Sequence, residues 1–245
     1  MKKPNIMPQL SDNELKRYHR QIIIPSIGEE GQEKLRHARA VVIGAGGLGS
    51  PVLMYLAAAG VGTIGIIDSD EVSTSNLQRQ VLYVTGDIGR LKADAAAERI
   101  SSLNPLITVR SFATRFSEEN ATGLLDGYDV AVDCSDNFTS RYLICDATRK
   151  AGIPMVYGAV YQFMGQASVF NYKGGPSYRD LFPEEMHLSG DIKTGQTGVI
   201  GALPGIIGSV QACEVIKIIT GAGDILSGKL LQIDALSLRA EIISI

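Results

Sequence analysis

Apolar residues recur along this chain in short blocks, and the spacing inside each block sets the element it forms. Continuous β-rich runs at 39–43, 63–67, 107–111, 129–133 and 153–161 are bounded by glycine, proline or acidic residues. Runs of this length with such flanks predict buried strands. Between them the apolar positions fall at helical spacing: from the glycine run at 44–49 through Ala59, at 92–103 up to the stop Asn104-Pro105, at 117–125 and at 138–151. Strand–helix alternation predicts an α/β fold built from βαβ units, with a mainly parallel sheet and helices on both faces. Ser11-Asp12-Asn13-Glu14 is a capping box that opens a short N-terminal helix. After Gly165 the pattern changes. Residues 166–172 predict an antiparallel addition, and 229–233 and 240–245 two further strands. Residues 184–198 are polar and rich in Gly, Ser and Thr, which predicts a mobile loop. No internal repeat, low-complexity tract or linker interrupts the 245 residues, and a single domain is expected.

Composition changes this picture little. The charged fraction is 20% and the net charge −3, which gives no basis for binding nucleic acid or an anionic membrane. Any cations that handle phosphate are therefore few and local. Residues 199–219 are strongly apolar, but Gln211, Glu214 and Lys217 would be costly at mid-bilayer, so a buried core helix is expected. The first ten residues lack the apolar core of a signal peptide, consistent with a cytoplasmic location. Cys134, Cys145 and Cys213 are widely spaced with no C-x-x-C, so neither a disulfide framework nor a zinc site is indicated. All three are expected to be buried thiols.

The candidate chemistry begins at Gly44, Gly46 and Gly49, a G-x-G-x-x-G between a strand and a helix, with Gly47 inside it. Glycine there permits a tight turn and lets backbone N–H groups approach phosphate at the helix N-terminus. Asp68 ends the next strand, where a carboxylate can accept hydrogen bonds from ribose hydroxyls. Ser50-Pro51 follows the loop where a P-loop would have Lys-Ser/Thr, so the loop supplies no lysine to a phosphate. Ser75-Asn76-Leu77-Gln78-Arg79-Gln80 and Lys92 supply cations and amides instead. Each cation taken alone also fits a solvated surface charge. Asp136 and Asn137 follow another strand end and should face the same crevice. A carboxylate there suits Mg²⁺; either residue can also cap the next helix.

Taken together, Arg17-Tyr18-x-Arg20-Gln21, Gly44-x-Gly46-Gly47-Leu48-Gly49, residues 75–80, Lys92 and Asp133-Cys134-x-Asp136-Asn137 resemble the ThiF/MoeB/HesA family, bacterial relatives of ubiquitin-activating enzymes. Gly198-Val199, Pro204-Gly205, Gly208 and Gln211-Ala212-x-Glu214-x-x-Lys217 extend the likeness nearly end to end. The resemblance implies a Rossmann-like fold and a homodimer that binds Mg-ATP and adenylylates the C-terminal Gly-Gly carboxylate of a ubiquitin-fold sulfur carrier, ThiS-like by preference or MoaD-like. It implies an N-terminal helical arm at 1–37, an ATP-binding core at 38–160 and a carrier-binding and dimer part at 161–245. By position, Gly47, Asp68, Ser75, Asn76, Arg79, Lys92 and Asn137 resemble ATP contacts and Asp136 the Mg²⁺ carboxylate. Arg20 resembles the arginine that reaches phosphates bound in the partner subunit.

The sequence departs from that family in two places. Many members hold a structural zinc with two C-x-x-C pairs, but the first position here reads Ser177-Tyr178-Arg179-Asp180-Leu181, so no zinc is expected. ThiF-like members also carry a loop cysteine for covalent attachment to the carrier. Residues 184–197 contain none, and Thr194 stands near the expected place. Adenylylation alone is therefore expected, with sulfur delivered by a separate sulfurtransferase or cysteine desulfurase. The competing reading is a NAD- or FAD-dependent oxidoreductase on the same glycine loop, which leaves Arg79, Lys92 and Asp136 without a role. His19, His37 and His187 form no catalytic pattern.

Overall fold

The computed structural model describes residues 9–183 and 198–245. Three short helices, α1 (Asp12–Arg17), α2 (His19–Ile22) and α3 (Gly28–His37), precede the sheet. The strands are β1 (Arg39–Ile43), β2 (Thr63–Ile67), β3 (Thr108–Phe112), β4 (Val130–Asp133), β5 (Met155–Tyr161), β6 (Met164–Phe170), β7 (Lys229–Asp234) and β8 (Arg239–Ser244). The helices among them are α4 (Gly49–Ala59), α5 (Lys92–Leu103), α6 (Glu118–Leu125), α7 (Phe138–Ala151), α8 (Tyr178–Leu181) and α9 (Ala202–Thr220). The sheet runs β3-β2-β1-β4-β5-β6-β7-β8. It is parallel from β3 to β5 and antiparallel from β5 to β8.

The apolar runs of β1, β2, β4 and the first half of β5 form strands buried on both faces, whereas the run expected to be buried at 107–111 forms β3 at the sheet edge and is largely exposed. One core packs β-strand residues Ala40, Val42, Ile64 and Ile66 against α4, α5 and α9. The other packs Val41, Ile43 and Ile67 against α6, α7 and α8. Each Val or Ile so enclosed contributes roughly 1.5–3 kcal/mol. The expected helix boundaries at 92–103 and 138–151 are met, and the capping box of α1 makes both of its hydrogen bonds. The 166–172 run is shifted to Met164–Phe170 because its ends are set by left-handed residues, Gln162 at φ 51° and Asn171 at φ 58°. The loop expected at 184–198 lies outside the described residues save Gly198.

Helix α9 is long and apolar enough to cross a membrane by length and composition. It packs against α3, α4, β5 and β6. Its mid-helix polar groups are buried and satisfied by protein. Gln211 donates to the carbonyls of Asp133 (2.8 Å) and Val156 (3.2 Å), and Glu214 pairs with Lys217 and accepts the Leu226 N–H. Gly158 in β5 makes room for this contact, since a Cβ there would lie 2.5 Å from the Gln211 side chain. Cys134 and Cys145 are buried as expected, but Cys213 is exposed. It sits on the α9 face turned from the sheet, beside Tyr55 and Arg20.

Candidate active site

Ile43, the last residue of β1, pairs with Ile67 on one side and Asp133 on the other. The loops after β1, β2 and β4 therefore leave the carboxyl edge of the sheet side by side, and the chain order reverses between β1 and β4. In open parallel sheets this is where ligands bind. Gly44 has φ 97°, and a Cβ there would sit 2.6 Å from the Cys134 carbonyl oxygen. A Cβ on Gly49 would collide with the Gly44 carbonyl. These two glycines close the turn. Gly46 and Gly47 are less crowded, facing the side chains of Gln80, Arg79 and Pro204. Their N–H groups have no acceptor among the described residues, at the start of a helix whose dipole favours an anion. The turn thus fits a phosphate group.

Asp68 holds the loop in place. It accepts the Ala45 N–H at 2.7 Å and the Asp70 N–H at 2.8 Å. Burial pushes its carboxyl up, and the two N–H groups and Lys92 oppose that shift. Tyr83 clamps the loop from below, donating to the Ala45 carbonyl at 2.7 Å and lying 3.2 Å from that of Lys92. Burial raises its pKa far above the usual phenol range, so the hydroxyl stays protonated.

Arg79 stands beside the glycine turn, its Cγ 3.6 Å from where a Gly47 Cβ would be. Its guanidinium donates to the Ser75 carbonyl at 3.2 Å. Lys92 is the first residue of α5 and is buried, with its ammonium 2.8 Å from the Asp70 carboxylate. Asn76 is spent locally on the Ser73 N–H, and Gln78 packs against Gly201 at the start of α9. Gln80 is buried beside Gly46 with its Oε1 unpartnered. Asp136 is exposed, and among the described residues its carboxylate accepts only from Asn137, at 3.3 Å. One open carboxylate near a phosphate turn fits Mg²⁺, which takes few protein ligands. Asn137 is the N-cap of α7, accepting the Ser140 N–H at 2.9 Å.

Arg79, Lys92, Asp68 and Asp136 thus come from the ends of adjacent strands or the segments after them. Arg20 does not join them. It lines a groove of about 460 Å³ with Arg17, Tyr55, Ala58 and Cys213. Ala58 is about 14 Å along the α4 axis from the glycine turn. A larger groove of about 1060 Å³ between α6 and α7 touches the site only through Asn137. Tyr83 and Asp70 belong to no recognisable spacing in the sequence, and Gln80 stands there only as the last amide of the 75–80 run, with no role of its own. Tyr83 shows a signal only once β1 and α5 are docked and both carbonyls lie beneath its ring.

A Rossmann-type sheet with a phosphate turn, a ribose-type acid and cations supplied from outside the turn defines a nucleotide-binding α/β protein. The chain belongs to the ThiF family, whose model matches residues 18–245. A sulfur carrier protein adenylyltransferase of Thermus thermophilus is 50% identical over 228 residues, covering 91% of this chain and 84% of that protein. A probable adenylyltransferase/sulfurtransferase MoeZ of Mycobacterium tuberculosis is 48% identical over 240 residues; 96% of this chain is covered, but the match spans only 61% of MoeZ. Among solved structures, PaaA superposes with a TM-score of 0.82 at 25% identity, covering all of this chain and 78% of PaaA.

Proposed function

We propose that this chain uses Mg-ATP to adenylylate the C-terminal carboxylate of a small ubiquitin-fold sulfur carrier, ThiS-like by preference. The observation that carries this reading is a glycine turn that lacks a lysine of its own, with Arg79 beside it and with Lys92 and Asp136 on the segments that follow the neighbouring strands. The adenylyltransferase names of the relatives support it.

The nucleophile is a carboxylate, ionised at neutral pH because its pKa lies about three units lower. It needs no general base, which agrees with His37 being engaged by the Glu33 carbonyl in α3. One carboxylate oxygen attacks the α-phosphorus, the bond from that phosphorus to the bridging oxygen breaks, and pyrophosphate leaves. The chain's task is alignment and neutralisation of charge. The Gly46 and Gly47 N–H groups and Arg79 hold phosphate oxygens. Lys92 exchanges Asp70 for phosphate. Asp68 orients the ribose. Asp136 would hold Mg²⁺, which supplies charge neutralisation on the phosphates.

Two narrower readings accompany this one. The first reading is of a zinc-free enzyme: the position of the first cysteine pair carries Ser177 and Asp180, and the Ser177 N–H and hydroxyl are both given to Asp180, at 2.7 and 2.8 Å. These two residues occupy the zinc-pair position and are spent on each other. The reaction ends at the acyl-adenylate, with no covalent carrier adduct. ATP–pyrophosphate exchange measured with a ThiS-like and a MoaD-like carrier tests the main reading. Exchange with neither removes it. One zinc per chain in metal analysis removes the zinc-free reading, and a carrier adduct cleaved by a reducing agent removes the other.

A further inference from the structure

Directly behind the Asp136–Asn137 turn lies a buried ionic cluster that nucleotide binding as described does not use. Asp133 ends β4 fully buried, and Arg141 on the first turn of α7 is 7% exposed. Asp133 Oδ1 accepts both the N–H (2.9 Å) and the hydroxyl (2.6 Å) of Ser135. Arg141 reaches back over the same turn, its Nη2 3.5 Å from the Ser135 carbonyl. Its guanidinium lies over the rings of Phe138 (5.3 Å) and Tyr157 (5.7 Å). From the opposite face of the sheet, Gln211 fixes the Asp133 carbonyl. The segment bearing Asp136 is thus held at its strand end, at its middle and at its helix cap.

The cluster is a poor device for stability. Asp133 Oδ2 and Arg141 Nε, both buried, have no hydrogen-bond partner among the described residues. Each unmet buried polar atom costs about 1–3 kcal/mol. Asp133 and Arg141 attract each other only through space, with no direct ion pair between them among the described residues, and burying two charges without close pairing is costlier than an apolar filling of the same shape. Burial pushes the Asp133 carboxyl up, and Arg141 opposes that shift. An apolar filling would avoid all of these costs. What it could not do is grip Ser135 from two sides.

We propose that Asp133 and Arg141 are positioning residues for the nucleotide site, setting the direction of the Ser135–Asn137 turn and hence where the Asp136 carboxylate meets Mg-ATP. The proposal rests on the reading of the site as one for Mg-ATP.

The test is ATP binding by calorimetry, with excess Mg²⁺ and with EDTA, alongside Tm, in wild type, Arg141→Met, Asp133→Asn and the double variant. Either single change leaves a buried group uncompensated and lowers Tm. The double variant removes both charges, so Tm should recover toward wild type. Its magnesium-dependent gain in ATP affinity should nevertheless fall about tenfold or more, as when a residue supporting a metal ligand is lost. ATP affinity in EDTA should not change. A double variant with wild-type magnesium dependence overturns the proposal and leaves the pair as charge compensation only. Should the double variant not fold, Arg141→Lys decides. It keeps the buried charge without the planar fork, and wild-type magnesium dependence there also overturns the proposal, whereas a tenfold loss supports it. If wild type itself binds no ATP, the Mg-ATP reading has failed, which is a different result from a normal wild type with a normal double variant.

Discussion

Gly44 packs its Cα against the Cys134 carbonyl, so the turn after β1 and the turn after β4 are in direct contact across the sheet edge. No side chain fits between them, and φ at Gly44 is 97°. Gly44→Ala therefore meets both a backbone clash and a conformation that L-residues avoid. The expected cost is roughly 2–4 kcal/mol of stability. Because the displaced segment carries Asp136, the thermal stabilisation conferred by Mg-ATP should vanish as well. Thermal melts with and without Mg-ATP check both parts. A variant that melts like wild type would show that the two turns are not coupled.

Tyr83 ties the glycine turn to α5 through the carbonyls of Ala45 and Lys92. Tyr83→Phe keeps the ring and loses the hydroxyl. The expected cost is about 1 kcal/mol, one net hydrogen bond. The KM for ATP should rise several-fold with kcat less affected, since the hydroxyl supports the loop and does not face the reacting atoms. The hydroxyl stays protonated through the ordinary pH range, so the difference between variant and wild type should be constant from pH 6 to pH 9. A difference that grows with pH would mean that the hydroxyl titrates.

Arg20 is the one expected phosphate contact that lies away from the site. It sits in the groove between α4 and α9 with Tyr55 and Cys213. If a second copy covers that groove, Arg20 acts on the partner's nucleotide. Arg20→Ala and Asp136→Ala should each abolish carrier-dependent pyrophosphate exchange alone. Mixed into heterodimers, they should recover part of the activity, because one site per dimer keeps both groups. Verified heterodimers with no activity would remove Arg20 from a shared site.

How far these residues were legible in the sequence depends on how local their geometry is. Asp68 was legible only as the acid ending the next strand, and its grip on the Ala45 N–H, 23 residues away, was not, whereas the glycine turn and the N-cap role of Asn137 follow from neighbours within a few positions. The α/β order was legible for the same reason, since periodicity is local. Tyr83 was not, and Gln80 was legible only as an amide of the 75–80 run, because their partners Ala45 and Gly46 are supplied by a different βα unit. Arg141 carries no signal in the sequence, because the rings it lies over include Tyr157 of β5, supplied by a distant element. Cys213 was expected to be buried like the other two thiols, but α9 is apolar on most of its surface, so its sequence does not mark the face that looks away from the sheet.

Helix α8 offers a test with a definite pH sign. The Asp180 carboxylate accepts the Ser177 N–H at 2.7 Å and its hydroxyl at 2.8 Å, a capping box at the position of the family's zinc pair. The Ser177 N–H foremost, then its hydroxyl, holds the Asp180 carboxyl below its ordinary value. A carboxyl lowered in the folded state contributes stability that is fully present above its unfolded pKa, about 3.9. That contribution is lost as pH falls through the lower folded value. Asp180→Asn keeps one acceptor oxygen and loses the charge. At pH 7 it should cost less than about 1 kcal/mol, because the group is exposed and screened by solvent. The gap between variant and wild type should hold down to about pH 4 and close below it. Denaturant melts at pH 7, 5 and 3 measure this directly. A gap that instead widens toward pH 3 would mean that the carboxyl is raised on folding, and the capping box would then not be the staple that holds α8 to its turn.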